Sequence, residues 1–241
     1  MSIMFEMERL QKIQKILAEN GALSVQKLAK LLFVSETTVR RDLNELQRQG
    51  LVKRIHGGAV LITGTNRELP LYMREREHPD AKEKIALQAV SYIQNGQVLF
   101  LDASSTVQQI VRHLAAFRDL TIITNGLKTS QELSGLPHNI YCTGGLLLHN
   151  SYAYVGHCAE RTVREYNADL FFFSSRGVST DGKITDASSE ETQLRRAMFE
   201  QSRYRIFLCD SSKFDTLYCY NLCSVHQVDA MISDRPFSPQ D

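Results

Sequence analysis

The sequence predicts an α/β protein in two parts: a small helical unit over residues 1–60 and a larger, mostly parallel α/β unit over residues 80–241, joined by a linker at 61–79. Three observations predict it. Helical periodicity recurs three times in the first fifty residues. From Ala81 onward, amphipathic stretches alternate with short apolar runs, the pattern of a parallel sheet covered on both faces. Between the two, Pro70 and Pro79 bracket a mixed-charge run, Arg74-Glu75-Arg76-Glu77. That composition marks a junction, and the run is expected as a solvated helix or loop.

The composition is that of a soluble globular chain, 43% hydrophobic and 23% charged. The longest apolar runs, such as Leu170–Phe173, are far too short to span a bilayer. Met1–Arg9 carries Glu6 and Glu8 and lacks a basic segment followed by an apolar core, so no secretory signal is expected. The five cysteines, an odd number without framework spacing, fit a reducing compartment. We therefore expect a cytoplasmic protein. Cys219-x3-Cys223-x2-His226 offers three metal-ligand types, but a closed zinc site needs four and no partner pair is visible. Buried thiols are the expected reading, with no metal and no cofactor.

The net charge of +1 hides an asymmetry. Residues 1–60 carry 10 Lys/Arg against 6 Asp/Glu, and residues 61–241 carry 18 against 21. A basic small unit on a mildly acidic large one points to a polyanion partner for the first only.

In the small unit, Leu10, Ile13, Ile16 and Leu17 place a first helix near Glu8–Glu19, stopped by Asn20-Gly21. A second opens at Ser24, a natural N-cap, with Val25, Leu28, Leu31 and Leu32 as its apolar face. A third opens at Ser35 and runs to Gly50, turning Val39, Leu43 and Leu46 inward. Its other face presents Thr37, Arg40, Arg41, Asn44 and Arg48, with Thr38 near its start. Hydroxyl, guanidinium and amide groups are those that bond base edges and phosphates. Leu51–Val60 then reads as a β-ribbon turning at Gly57-Gly58 and carrying Lys53, Arg54 and His56. Two helices joined by a tight turn, with a basic ribbon beside the second, make a winged helix-turn-helix. Thr37, Thr38, Arg40, Arg41 and Asn44 are expected to read bases. Ser35, Arg48, Lys53, Arg54 and His56 are expected to sit on phosphates.

In the large unit, strands are expected at Val98–Leu101, Leu120–Thr124, Asn139–Cys142, Leu170–Phe173, Tyr204–Leu208 and Ala230–Ser233. Helices are expected at Ala81–Ile93, Val107–Ala115, Leu127–Leu133, Cys158–Tyr166 and Glu190–Gln201. Ligands on Rossmann-like sheets bind beyond the carboxyl ends of the strands. The residues there are Asp102-Ala103-Ser104-Ser105-Thr106, Thr124-Asn125-Gly126, Thr143-Gly144-Gly145, Ser174-Ser175-Arg176-Gly177 and Asp210-Ser211-Ser212-Lys213. Singly, each is ordinary turn chemistry. Together they predict a polar ligand site. Ser104, Ser105 and Thr106 would open a helix onto an anion, with Thr124, Asn125, Gly144 and Gly145 nearby. Arg176 or Lys213 would neutralise a phosphate. Asp102 and Asp210 would accept from sugar hydroxyls.

Two stretches make the chain resemble a known family. Val34-Ser35-Glu36-Thr37-Thr38-Val39-Arg40-Arg41-Asp42-Leu43 and Gly50-Leu51-Val52-Lys53-Arg54-Ile55-His56-Gly57-Gly58-Ala59 resemble the DeoR family of bacterial regulators. The large unit resembles that family's sensor domain, which shares its fold with ribose-5-phosphate isomerases. The matching segments are Phe100-Leu101-Asp102, Thr124-Asn125, Gly144-Gly145, the Glu190/Glu191 to Arg195-Arg196 helix and Asp210-Ser211-Ser212-Lys213-Phe214. The resemblance implies operator DNA as partner, repression of a carbohydrate operon, a phosphorylated sugar or related effector, and a homo-oligomer. From the residues themselves, the short apolar runs predict no membrane partner, and the lack of a tight pair of acidic groups predicts no catalysis. Two positions depart from the family pattern: Asp-x-Gly-Thr-Thr becomes Asp102-Ala103-Ser104-Ser105-Thr106, and Ser174 stands where a glycine is usual. Ser104 adds a Cβ where a phosphate would approach and disfavours positive φ, so a site altered or lost is one alternative. A sugar-phosphate isomerase is the other.

Overall fold

The structure, a computed structural model, describes residues 6–55, 57–61 and 69–239. The chain forms two compact units, Met1–Gly64 and Thr65–Asp241.

The small unit runs α1 (Glu6–Asn20), β1 (Ala22–Ser24), α2 (Val25–Leu32), α3 (Glu36–Arg48), β2 (Val52–Ile55) and β3 (Gly58–Leu61). Ser24 and Ser35 cap α2 and α3, their hydroxyls accepting from the N–H groups of Lys27 and Thr38. Leu10, Ile13 and Leu17 of α1 meet Leu28 and Leu32 of α2 and Val39, Leu43 and Leu46 of α3 in one buried core. The ribbon forms with Lys53 opposite Val60 and Arg54 opposite Ala59. It gains a third strand that the periodicity did not reveal, because β1 is only three residues long and pairs Leu23 with Ala59. Gly58 makes that pairing possible, since a Cβ there would lie 2.3 Å from the carbonyl oxygen of Leu23.

Asp42, in the middle of α3, is fully buried and receives a bidentate ion pair from Arg9 of α1, at 2.5 and 2.9 Å. Both charges leave water together, and the fork geometry satisfies both carboxylate oxygens. The pair fixes the rotation of α3 and so decides which of its residues face out.

The large unit continues with α4 (Leu71–Arg74), α5 (Pro79–Ala89), β4 (Val98–Leu101), a 3-10 helix at Val107–Ala116, β5 (Thr121–Thr124), α6 (Leu127–Leu133), β6 (Asn139–Cys142), β7 (Leu146–Leu148), β8 (Ala153–Val155), α7 (His157–Arg164), β9 (Ala168–Phe173), β10 (Gly177–Val178), β11 (Lys183–Asp186), α8 (Ser189–Glu200), β12 (Ser202–Leu208), β13 (Tyr220–Ser224) and β14 (Ala230–Ile232). The expected strands assemble as a six-stranded parallel sheet in the order β14-β12-β9-β4-β5-β6. Side chains alternate across it. Leu99, Leu101, Leu170 and Phe172 pack into one core with Ile85, Ala86 and Ala89 of α5 and Ile110 and Leu114 of the 3-10 helix. Phe100, Phe171 and Phe173 pack into the other with Leu194, Ala197 and Met198 of α8.

Two features depart from the expected alternation. β7 and β8 pair as an antiparallel hairpin, and β10, β11 and β13 form a separate antiparallel sheet. The charged run Arg74–Glu77 is solvated only in part: Arg76 and Glu77 are exposed, whereas Arg74 is buried together with Leu71 and Met73 before it, and the Leu71 N–H donates to the Asn150 carbonyl at 2.7 Å.

Phe33 closes α2 in the left-handed region, at φ 57° and ψ 41°, with its ring 84% exposed. Left-handed backbone costs an L-residue roughly 1–2 kcal/mol, and glycine's greater unfolded-state freedom offsets about 0.4–1 kcal/mol of the gain from removing it. Phe33→Gly is therefore expected to stabilise the small unit by about 0.5–1 kcal/mol. Slower hydrogen exchange of α2 and α3 amides in the full chain checks it; unchanged or faster exchange would mean the ring packs favourably.

Candidate functional site

On α3, burial divides the helix as its periodicity requires. Val39, Asp42, Leu43 and Leu46 are buried, while Ser35, Thr37, Arg40, Arg41, Asn44 and Arg48 are exposed and Thr38 is half-buried. Several outward groups are already engaged. The Thr38 hydroxyl lies 2.8 Å from that of Ser35, within the cap. Arg48 forms an ion pair with Glu45 at 2.6 Å and Arg40 one with Glu36 at 3.4 Å. Arg54 donates from Nη1 to Asn44 Oδ1 at 2.7 Å and from Nε to the Gly58 carbonyl at 3.2 Å, which ties ribbon to helix. Lys53 is exposed on β2. His56 lies outside the described residues.

In the large unit, the loops after β4, β9 and β12 converge on one polar pocket. Of the residues predicted from sequence, Ser104, Ser105, Arg176, Asp210 and Lys213 line it. Lys213 Nζ donates to Ser174 Oγ at 2.9 Å and to Thr106 Oγ1 at 3.4 Å, and lies 3.6 Å from Asp210. Burial alone would raise the Asp210 carboxyl, but Lys213, a hydrogen bond from Ser212 and Lys82 hold it below the usual range.

Lys82 was not anticipated and changes the character of the pocket. It is 3% exposed and its ammonium donates to the Arg74 carbonyl. Burial, reinforced by repulsion from Lys213, brings its pKa down to about 8. Arg74 lines the same pocket, which therefore collects five cations, Arg74, Lys82, Arg176, Arg195 and Lys213, against the carboxylates of Glu77, Asp186, Glu191 and Asp210. The sequence did contain a signal. Lys82 stands at i with Ile85, Ala86 and Ala89 at i+3, i+4 and i+7, a charge on the apolar face of its helix.

Six predicted residues do not line the pocket, and each has a structural task instead. Asp102 is corrected from ligand acceptor to scaffold. It is fully buried, with Oδ1 accepting from the Ser104 N–H at 2.9 Å and Oδ2 from the Ser174 N–H at 3.2 Å and Arg195 Nε at 2.7 Å. Thr106, also buried, meets the Lys213 ammonium from behind. Thr124 Oγ1 accepts from the Gly126 N–H at 3.1 Å, and Asn125 bonds Tyr154 of β8 from both side chain and carbonyl. Gly144 and Gly145 turn the chain from β6 into β7 at φ 64° and 111°.

At one wall of the pocket, Arg195 of α8 forms ion pairs with Asp102 at 2.7 Å, Asp186 at 2.9 Å and Glu191 at 2.8 Å, and all but Asp102 line it. Burial opposes the Arg195 charge, but the three carboxylates hold its pKa above the ordinary value. The Asp186 carboxyl is pushed up, chiefly by burial, with Glu191 adding to it. Ser104 resolves the departure noted in the sequence. It is not among the described residues with positive φ, and its Oγ accepts at 3.3 Å from the N–H of Val107, the first residue of the 3-10 helix. The loop therefore does not need the conformational freedom of glycine.

The DeoR-like helix-turn-helix domain matches residues 9–65, and the DeoR C terminal sensor domain matches residues 77–235. The chain belongs to the DeoR family. The HTH-type transcriptional regulator GolR of Listeria innocua is 33% identical over 96% of this regulator and 92% of its own length. The glycerol-3-phosphate regulon repressor of Escherichia coli is 30% identical over 97% and 92%. The HTH-type transcriptional repressor GlcR of Bacillus subtilis is 33% identical over 96% and 90%. Ribose 5-phosphate isomerase A of Methanocaldococcus jannaschii is similar over 57% of this chain and 55% of its own, at 16% identity and a TM-score of 0.42. The protein is a DNA-binding transcriptional regulator and not an enzyme, so the isomerase alternative is set aside. No described helix is long and apolar enough to cross a membrane.

Replacing Arg195 by Met would leave Asp102, Asp186 and Glu191 buried without their shared cation. A loss of about 3–5 kcal/mol in urea-unfolding stability is expected. A loss under about 1 kcal/mol would show that the carboxylates find other partners.

Proposed function

We propose that this regulator represses a carbohydrate-metabolism operon as a cytoplasmic homo-oligomer, and that a phosphorylated sugar or related metabolite releases it. The observation that carries this reading is the pairing of buried Lys82 with Lys213 beside the Ser104-Ser105 and Ser174-Ser175 loops. Cations held apart from bulk water lower one another's proton affinity. A phosphate placed between them relieves that repulsion, while hydroxyls and loop N–H groups supply its hydrogen bonds. Ser104, Ser105, Ser174, Lys82, Arg176 and Lys213 would hold the anion. Asp210, kept ionised by its neighbours, would accept from ligand hydroxyls. The Escherichia coli relative carries a phosphate monoester of this chemistry in its name, glycerol-3-phosphate regulon repressor.

At the other unit, Thr37, Arg40, Arg41 and Asn44 would enter the major groove from the exposed face of α3, with Lys53, Arg48 and Arg54 on phosphates. Ser35 and Thr38 serve first as the cap that keeps the helix start intact. Effector binding would favour an arrangement of subunits whose recognition helices no longer match both half-sites.

Arg41→Ala tests the DNA half. Against an operator selected from a random-sequence pool, it should weaken specific binding by about 1–3 kcal/mol, measured by fluorescence anisotropy at fixed salt. Unchanged specific affinity would mean that Arg41 does not face bases.

The effector half is tested by pH. Lys82 carries charge below about 8 in the free protein and loses it above. A bound phosphate raises that pKa, so affinity should fall as pH rises from about 8 toward the bound-state value. A phosphate monoester is already dianionic there, with its second pKa near about 6, so the ligand does not cause the fall. Calorimetric titration of a panel of sugar phosphates should show this decline in the wild type and its absence, with weaker binding throughout, in Lys82→Met. A flat profile in both would remove Lys82 from the site.

A further inference from the structure

A second polar cavity of about 320 Å³ lies in the large unit between α5, the 3-10 helix and α6. It shares no lining residue with the first pocket. Gln108 lines it at only 5% exposure, and its Nε2 donates to Glu132 at 2.7 Å. That bond fixes the amide orientation, because a carboxylate accepts only. Gln108 Oε1 is consequently a buried acceptor, and it receives no hydrogen bond. Glu83 Oε2 is a second buried acceptor without one. Glu83 Oε1 meets His113 at 3.0 Å, and Arg112 approaches Oε2 only to 4.0 Å. Four carboxylates, from Glu75, Asp80, Glu83 and Glu132, face two cations, Arg112 and Lys128, and Lys128 is already bound to Glu75 at 2.5 Å.

We infer that this cavity binds a small primary-ammonium compound. The chemistry missing from its walls is donors and positive charge, and an ammonium brings three donors on one cation. Its nitrogen would donate to Gln108 Oε1 and Glu83 Oε2, and a short aliphatic chain fits the remaining volume. An anionic ligand would meet an unfavourable field. The assignment does not depend on the phosphate reading of the first pocket. The two cavities are neighbours all the same, since α5 places Lys82 at one and Glu83 at the other.

Putrescine is a suitable probe, titrated calorimetrically into the full-length protein at physiological salt. Saturable binding of one equivalent is expected, weakened at least tenfold in Glu83→Gln, a near-isosteric change at a half-buried side chain, and in Gln108→Leu. Inorganic phosphate binding should be unchanged in Glu83→Gln, which marks the two sites as separate. No saturable binding by the wild type, or equal affinity in wild type and Glu83→Gln, would overturn the proposal. So would loss of self-association in Glu83→Gln without putrescine binding, because the same acceptors would then serve a lysine of a second copy.

Discussion

One guanidinium organises the large unit. Arg195 is held by three carboxylates that come from separate parts of the chain: Asp102 after β4, Asp186 at the end of β11, and Glu191 one turn earlier on α8. None of the four charges would be tolerable alone at this depth, because desolvation costs several kcal/mol per ion. Asp102 then passes the constraint on. Its two oxygens hold the N–H groups of Ser104 and Ser174, so the loops after β4 and β9 are fixed by the same carboxylate that α8 holds in place. The pocket is consequently a rigid construction of backbone and buried charge, and its lysines are the groups left to respond to what enters.

The small unit uses the same device on a smaller scale. Arg9 and Asp42 form a buried fork between α1 and α3, and the polar face of α3 is set by what the pair holds inward. Both units thus place a buried arginine–carboxylate contact against the surface proposed to bind a ligand or DNA. In each case the ionic contact adds orientation to a core whose cohesion comes from Leu, Ile, Val and Phe side chains.

Much of this was legible beforehand, and the failures have identifiable causes. Short apolar runs located all six strands of the parallel sheet, because those strands are buried on both faces, and period-3.6 patterning located the polar face of α3. β1 was missed because three residues carry no period. The β10-β11-β13 sheet was missed although Asp181-Gly182, between Val178 and Ile184, is a hairpin signal; its strands are short and β13 lies far along the chain. Asp102 was read as ligand-facing because a carboxylate after a strand is usually solvated there. Only the structure shows Arg195 approaching from behind. Lys82 and Arg195 stood on apolar helix faces in plain view, where a charge without a visible partner in the sequence marks a partner, or a site, supplied by the fold.

The hydrogen bond between Arg54 and Asn44 has a further consequence. In the free protein the amide proposed to read a base is already occupied, and the guanidinium proposed to sit on a phosphate is occupied with it. Engaging DNA then becomes an exchange rather than a simple gain. In the proposed docking, a matching base edge would replace the bond that Asn44 gives up, and a phosphate would replace the one that Arg54 gives up. A mismatched sequence offers the phosphate alone. The helix and ribbon would therefore stay latched to each other while the protein slides over arbitrary sequence, and separate only where both replacements are on offer. Discrimination would be built into the resting conformation before any operator is found.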